Sequence, residues 1–543
     1  MKKNKLIPET ISFSLPKSWL KKAELIVNKY ALVVIALALT ITAIVTFWTY
    51  YYNGLGIAYN DARSHLDIGR RVVEGLKPGL AQLGSVWLPL PHLLMVPTVW
   101  SDFMWHSGLA GALQSMIAYV ATGIIIYLFL QKIKVGLLGR LVAVFIWAAN
   151  LNVLYLQSTA MTELLLLGTM TGGAYYLLRW FQTNRLLELI KASFWIMLST
   201  LIRYDGWFLL FVSTILIAFQ VYRKKGYKTT EGIVIMFCTL AAFGIFLWLL
   251  WNQLIFKDAL YFAFGPFSAR AQQKQLEAAG NLPTQHNLLL SVKVYLYALF
   301  YNSYTIPALL GFVGAIWFWF DKKLKSEVKI ASIALLAPLF FNIIALFFGH
   351  SVLFIQGISG NTWFNVRYGV MLMPSIAIYL GYLVDRAKQL KWVYIGLLLM
   401  VSFFAIVNHD AVTIDDARVG SSQKNVSEVS GWLKSRTYDN PGLILISAAS
   451  HDAIIFSSGL PMRRFIHEGT GDYWLDATAY PDRWVRWIIL RTYDDNDLTY
   501  KLVSKTSGFK KYKLMAKYPF ADIYELKPEY VPRLLGNPEA NQL

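Results

Sequence analysis

Residues 30–51 read YALVVIALALTITAIVTFWTYY, without one charged side chain, and just beyond them residues 59–71 read YNDARSHLDIGRR. The first stretch is long enough to cross a bilayer, and only a helix satisfies its backbone in hydrocarbon, where about 20 apolar residues are needed. The second gathers two carboxylates, a histidine and three arginines at the mouth of that helix. Ten more segments repeat the apolar pattern, at 108–130, 136–156, 162–178, 187–202, 206–222, 232–256, 303–320, 330–348, 370–384 and 392–407. The spacing predicts an all-α membrane bundle of about 11 transmembrane helices. Composition agrees: of 543 residues 56% are hydrophobic and 15% charged, against about 25% charged in a soluble protein, which excludes a string of soluble domains. The first span is not read as a cleaved signal, because nearly thirty residues rich in lysine precede it and no small-residue cleavage site follows.

The charge has a direction. Lys and Arg number 51 and Asp and Glu 32, a formal net charge of +19. In a polytopic chain such an excess sets orientation through the cytoplasmic loops, so it is not read as a nucleic-acid footprint. Basic clusters fall on alternate connections: the N-terminus, Lys132/Lys134/Arg140, Arg179/Arg185/Lys191, Arg223 to Lys228, Lys322 to Lys329 and Arg386/Lys388/Lys391. These predict the cytoplasmic side, with residues 1–29 as a basic cytoplasmic N-terminus. The opposite set comprises 52–107, the turns near 157 and 204, 257–302, 349–367 and everything after 408. It holds the acidic, histidine and aromatic residues, so the chemistry is expected outside the cytoplasm of a multi-pass cell-membrane protein. Residues 30–408 are read as the membrane domain and 409–543 as an extracytoplasmic soluble α/β domain, with strands at 443–447, 487–490 and 521–526 and helices at 426–433 and 498–503. Cys238 stands alone in an apolar run, which leaves no intrachain disulfide and no Cys-based metal site.

Five outer segments carry candidate chemistry. In the first, Asp61, His65, Leu66 and Val73 recur at helical spacing, as in an amphipathic helix on the bilayer surface. Asp61 and Asp67 are catalytic candidates, because a carboxylate at the membrane boundary costs energy unless paired or used. The alternative is that Asp61 caps the helix or pairs with Arg63. Further along the same loop, Trp87 and His92 flank a Pro-rich turn before an apolar run, and are read as substrate contacts or interfacial anchors. Glu163 opens an apolar span, as a catalytic carboxylate or as a charge that suits a helix N-terminus. Arg203-Tyr204-Asp205-Gly206-Trp207 fills a tight turn, where Arg203 is a candidate phosphate ligand and Arg203/Asp205 a structural pair in the alternative. In the fourth segment Tyr261 is a substrate candidate, and Arg270 and Lys274, at i and i+4, are candidates for phosphate or for lipid headgroups. In the fifth, His350 precedes Arg367-Tyr368, and Arg367 runs against the positive-inside trend.

Asp61 in a first outer loop with an amphipathic helix, the Thr162-Glu163 corner, Arg203-Tyr204-Asp205-Gly206-Trp207 and Arg367-Tyr368 together resemble the GT-C glycosyltransferase superfamily. Within it the chain is most similar to the protein O-mannosyltransferases and aminoarabinose lipid A transferases, over roughly residues 30–405. Members of that group commonly carry two adjacent acidic residues in the first loop; here Asn60 precedes Asp61. The resemblance implies transfer of one sugar from a polyprenyl-phosphate donor to an extracytoplasmic lipid, glycan or protein, with inversion at the anomeric carbon. It implies Asp61 as general base and Arg203, Arg367 and Arg270 against the leaving phosphate. A monophosphate donor requires no cofactor; a divalent ion held among His65, His92, His286 and His350 is the alternative. Two rival readings stand beside it, a transporter or flippase for lipid-linked sugars and an oligosaccharyltransferase-like enzyme with a pyrophosphate donor. In the outer domain His451-Asp452, His467-Glu468 and Trp474 are expected to be exposed.

Overall fold

The computed structural model describes residues 17–265, 268–278, 280–419, 423–492, 497–519 and 521–535. The lysines at positions 2, 3 and 5 that help define the basic N-terminus lie outside the described residues. The helix of the first span, α1 (Lys17–Tyr52), buries Ala31, Ile35, Leu39, Ala43 and Phe47 along one stripe while Val33, Val34, Leu37 and Ile41 stay exposed. A helix apolar on its exposed face as well as its buried one is solvated by lipid.

The 52–107 loop folds into α2 (Asn60–Val73), a short 3-10 turn at Leu80–Leu83, α3 (Leu90–Val99) and α4 (Asp102–His106). The bundle continues with α5 (Leu109–Lys132), α6 (Leu137–Ala148), α7 (Leu151–Gln157), α8 (Glu163–Thr183), α9 (Leu186–Thr200), α10 (Asp205–Ala241) and α11 (Phe243–Phe256). Next come the short α12 (Tyr261–Phe264) and α13 (Ala269–Ala278), then α14 (Leu288–Ser303), α15 (Thr305–Phe320), α16 (Ser326–Ser332) and α17 (Ala337–Phe347). A 3-10 segment, Val366–Leu372, leads into α18 (Met373–Arg386), and α19 (Lys391–Asn408) and α20 (Val412–Val419) close the bundle. The central α8 is buried on nearly all sides and packs on α5 and α9. Its Gly172 and Gly173 lie against Trp195 and Ile196, in the close approach that small residues allow between membrane helices.

Each of the 11 expected spans contains a helix, but by length and composition six helices among the described residues can cross a membrane, or eight if two bent pairs count as spans. The pairs are α6 with α7, bent by 61°, and α14 with α15, bent by 111°. The α14 helix was expected only as part of an outer connection. Its apolar run is broken at Tyr304, which has a φ of 60°, so the chain turns back where periodicity alone suggests one span starting at 303. The basic stretch 223–228 likewise is no open loop: α10 runs through it with a break at Gly226, whose φ is 73°.

Beyond α20 lies the small C-terminal sheet domain. It contains α21 (Gln423–Asp439), β1 (Ile444–Leu445), α22 (Ala448–Ser458), β2 (Phe465–Ile466), α23 (Asp472–Ala479), α24 (Pro481–Trp484), β3 (Trp487–Leu490), α25 (Leu498–Val503), β4 (Tyr512–Lys517) and β5 (Asp522–Leu526). The sheet order is β2-β1-β3-β5-β4, with β1 parallel to β2 and β3 and the remaining pairs antiparallel. Strands β2 and β4 were not foreseen. The α20 helix belongs to the membrane part, since Thr413 donates two hydrogen bonds to Asn152 Oδ1, at 3.0 Å from its N–H and 2.8 Å from its hydroxyl.

The α2 helix, expected as an amphipathic surface helix, is covered by protein on more than one face. It is held between α3 and α22, and buries Ala62, His65, Leu66, Asp67, Ile68, Gly69 and Arg70. The C-terminal domain reaches it from the carboxyl ends of β1 and β2: Arg71 Nη1 meets Asp452 Oδ1 at 3.4 Å, Lys77 meets Asp472 at 2.9 Å and Gln82 donates to the Gly469 carbonyl at 2.7 Å. His451 and His467, expected to be exposed, are 2% and 4% exposed; His451 Nε2 lies 2.8 Å from Asp497 Oδ2 within the sheet domain. Trp474 is buried with them.

Candidate active site

Four separate segments deliver charge to one point at the end of the bundle that carries the sheet domain. The first is α2, whose Asp61 lies in its first turn. The second is the start of α8, where Glu163 follows the N-cap Thr162. The third is the four-residue link between α9 and α10, which carries Arg203. This link is tight because Gly206 sits against the last turn of α9; a Cβ there would come within 2.3 Å of the Ser199 carbonyl. The fourth is the 3-10 segment with Arg367 and Tyr368, entered through Asn365 at a φ of 53°. A buried amide chain anchors that segment: Asn302 donates to the Val366 carbonyl at 2.7 Å, and Asn150 donates to the Asn302 carbonyl at 2.8 Å.

Arg367 is the hub. Its Nη2 donates to Asp61 Oδ2 at 2.5 Å, its Nε to Glu163 Oε1 at 3.0 Å, and its Nη1 lies 3.9 Å from Asp416 Oδ2. Arg203 shares the same Glu163 oxygen at 3.3 Å and holds Asp205 Oδ2 at 3.3 Å. Glu163 is fully buried between the two guanidiniums, and its Oε2 has no partner among the described residues. Tyr368 lies under both cations, 4.9 Å from Arg203 and 5.3 Å from Arg367, and Tyr59 lies 4.9 Å from Arg367. Each guanidinium thus holds two carboxylates through single charge-assisted bonds, and pairing of this kind is what allows the charges to be kept out of water. Asp61 is the accessible carboxylate of the set, with 44% of its side chain exposed, against 3% for Asp205 and none for Glu163.

Two members of this cluster went unmarked in the sequence. Tyr59 Oη lies 2.9 Å from the Thr413 carbonyl and 3.1 Å from Asp416 Oδ2, which ties α2 to α20. The available signal for Asp416 was an acidic pair, Asp415-Asp416, just beyond the last span on the expected outer side.

Beside the charge cluster sits a ring cluster. His65, one helical turn after Asp61, meets His92 with Nδ1 and Nε2 2.8 Å apart, and the Trp87 ring lies 4.3 Å from His65. The segment bearing Trp87 is fastened to the Arg203 turn: Tyr204 Oη donates to the Val86 carbonyl at 3.3 Å, and the Leu90 N–H donates to the Leu201 carbonyl at 3.1 Å. Burial, reinforced by the nearby Arg203 and Arg367, pushes His65 down to about 3, and His92 is likewise held well below the usual histidine range. Both imidazoles are neutral at physiological pH.

The other sequence candidates lie elsewhere. Asp67 is fully buried, accepts from Trp105 Nε1 at 3.1 Å and shares a hydrogen bond with Asp452. The reason is periodicity: six residues after Asp61, Asp67 projects from a different face of α2, toward the sheet domain. Arg270 and Lys274 are exposed on α13, where Arg270 lies 5.2 Å from the Phe264 ring. Tyr261 stacks on Phe256 at 4.6 Å, and His350 lies 3.1 Å from the Gln273 amide. Asp61 neither caps α2 through its side chain nor pairs with Arg63, whose Nε donates instead to the Ile57 carbonyl. Among the described residues no three His, Cys, Asp or Glu side chains are grouped as a metal ion requires.

The chain superposes on ArnT from Cupriavidus metallidurans, an aminoarabinose lipid A transferase. Against the form bound to undecaprenyl phosphate the TM-score is 0.53, at 11% identity over 90% of this chain and 98% of that one. Against the apo form it is 0.51, at 12% identity over 89% and 97%. The fold is that of the GT-C membrane glycosyltransferases, over nearly the whole of both chains. A looser likeness, at TM-score 0.49 and 11% identity over 87% and 70%, relates it to the apo oligosaccharyltransferase of Archaeoglobus fulgidus. No protein-family model matches the chain, and no curated protein matches it by sequence.

Proposed function

We propose that this chain transfers a single glycosyl group from a polyprenyl-phosphate carrier to an acceptor outside the cytoplasm, with inversion at the anomeric carbon. The observation that carries this reading is the convergence of Asp61, Glu163, Arg203 and Arg367 from four segments, at one end of a GT-C bundle. That ArnT, which shares this fold, has been crystallised with undecaprenyl phosphate supports a donor of the same chemical class.

In this reaction the acceptor heteroatom attacks the anomeric carbon, forming the new glycosidic bond as the bond from that carbon to the phosphate oxygen breaks. The electron pair departs on the phosphate, and the acceptor's proton passes to Asp61. Arg203 is the cation for the leaving phosphate, because it keeps 21% of its side chain exposed where Arg367 keeps 6%. Arg367 and Glu163 hold Asp61 and Arg203 in fixed relation, so the electrostatics need no rearrangement as charge develops. Asp61 Oδ2 is engaged by Arg367, which leaves Oδ1 to the acceptor.

The test combines binding with turnover. Native mass spectrometry of the purified chain is expected to find a polyprenyl monophosphate sugar on the wild type and none on Arg203→Ala. With that lipid as donor, Asp61→Asn is expected to retain binding and lose transfer by about 100-fold or more, the usual value of a positioned base. A pyrophosphate-linked oligosaccharide in place of the monophosphate lipid, or near-normal turnover in Asp61→Asn, overturns the assignment.

A further inference from the structure

The His65, His92 and Trp87 cluster is unusual in its hydrogen bonding. Two imidazoles packed together need each to supply one donor and one acceptor. His65 Nδ1 and His92 Nε2 meet at 2.8 Å, one donating to the other, and the second nitrogen of His92, Nδ1, is buried without a hydrogen-bond partner among the described residues. The second nitrogen of His65 is Nε2. This atom makes no hydrogen bond among the described residues, although the residue is only 5% exposed. Trp87, half-buried, likewise has an indole N–H with no hydrogen bond among the described residues. Buried polar atoms are usually hydrogen-bonded, yet here His65 Nε2 and the Trp87 N–H remain open, on rings 4.3 Å apart, next to the turn that carries Arg203.

An open imidazole nitrogen and an open indole N–H on an aromatic wall match a sugar ring. The apolar C–H face of a pyranose lies on an indole, and a ring hydroxyl both donates and accepts. We propose that His65 and Trp87 form the subsite for the glycosyl ring of the donor, in which His65 Nε2 hydrogen-bonds a sugar hydroxyl and Trp87 Nε1–H donates to one, with His92 as the positioning residue that holds the His65 ring through Nδ1. The subsite takes a hydroxyl-bearing neutral hexose. Its neutral imidazole reads the hydroxyl without adding a third positive charge beside the two arginines. This inference rests on the donor reading above: Arg203 binds the phosphate, and the sugar one bond away falls against the segment to which the Arg203 turn is fastened.

The experiment separates the two readings. Affinity is measured for undecaprenyl phosphate alone and for a panel of undecaprenyl phosphates carrying glucose, mannose or galactose, with wild type, His65→Ala and Trp87→Phe. The wild type is expected to bind at least one hexosyl lipid about tenfold or more tightly over the bare phosphate, the value of one to two buried hydrogen bonds. His65→Ala should bring that lipid to within about twofold of the bare phosphate, leaving the affinity for the bare phosphate unchanged. Trp87→Phe, which keeps an aromatic face and removes only the N–H, should lose part of the preference. The subsite is refuted if the wild type prefers none of the hexosyl lipids, if the preference survives in His65→Ala, or if His65→Ala weakens both lipids equally. Failure of the wild type to bind even the bare phosphate overturns the donor reading itself.

Discussion

Arg367 binds Asp61 and Glu163 and approaches Asp416, so one guanidinium joins α2, α8, the 3-10 segment and α20. A buried carboxylate with no such partner would be neutralised or excluded, since isolated charge is costly out of water. This is why the single acidic residue opening an apolar span was legible as a site candidate, while its pairing was not: Glu163 and Arg367 are 204 positions apart, a separation that no local pattern encodes. The second carboxyl pairing at this scale is Asp67 with Asp452, faced by Arg71, with Trp105 and Ser64 as further hydrogen-bond partners and Glu468 nearby. Burial pushes Asp452 up to about 6 and Asp67 well above the carboxylate range, against the opposing pull of Arg71. A carboxyl whose folded value lies above its unfolded one binds its proton more tightly when folded. Its stabilisation is therefore full below about pH 4 and is lost as pH rises through about 6. The wild-type melting temperature in detergent should fall between pH 4.5 and 7, and Asp452→Asn, which keeps the hydrogen bond and removes the ionisation, should flatten that fall. Identical pH profiles for the two proteins would discard the shared proton.

Among the elements, the 3-10 segment Val366–Leu372 is the one on which the site depends most directly. It lies so close to α14 that a Cβ on Gly369 would come within 2.1 Å of the Ala298 carbonyl. Overpacking of this kind typically costs about 1–3 kcal/mol and moves backbone. Gly369→Ala should lower thermal stability and, by shifting Arg367 and Tyr368, weaken donor binding together with turnover; a variant with normal melting and normal donor affinity would show that the segment tolerates displacement. The helices themselves were largely readable, because a lipid-facing helix must be apolar over its length. Their interruptions were not. Tyr304 and Asn365 adopt positive φ, and neither is the glycine that most often marks such a position in a sequence. Similarly, α2 has the pattern of a surface helix, and only the arrival of α3 and α22 converts its second face into an interface.

At the scale of the whole molecule, the alternation of basic loops predicts an orientation that can be tested without any assay of function. In a Cys238→Ala background, a cysteine at the exposed Ser435 of the sheet domain should react with a membrane-impermeant thiol reagent in intact cells. A cysteine at the exposed Lys322 should react only after lysis. The reverse pattern would turn the reaction proposed here to the cytoplasmic side. The sheet domain also contacts the loop that carries Asp61 through Arg71, Lys77 and Gln82.

The sequence by itself determined the solvent, the helical class, the side on which polar groups gather, and the identity of Asp61, Glu163, Arg203 and Arg367 as candidates. Each of these follows from local cost: apolar length, the penalty for charge near hydrocarbon, and the bias of basic loops. Tertiary structure alone decided that those four meet, that Tyr59 and Asp416 join them, and that Asp67 turns away to the sheet domain. It also decided that His65, His92 and Trp87 form one wall. Ion pairs and ring contacts between distant segments are created by packing, and the free energy that selects them depends on burial that no single segment possesses before the others arrive.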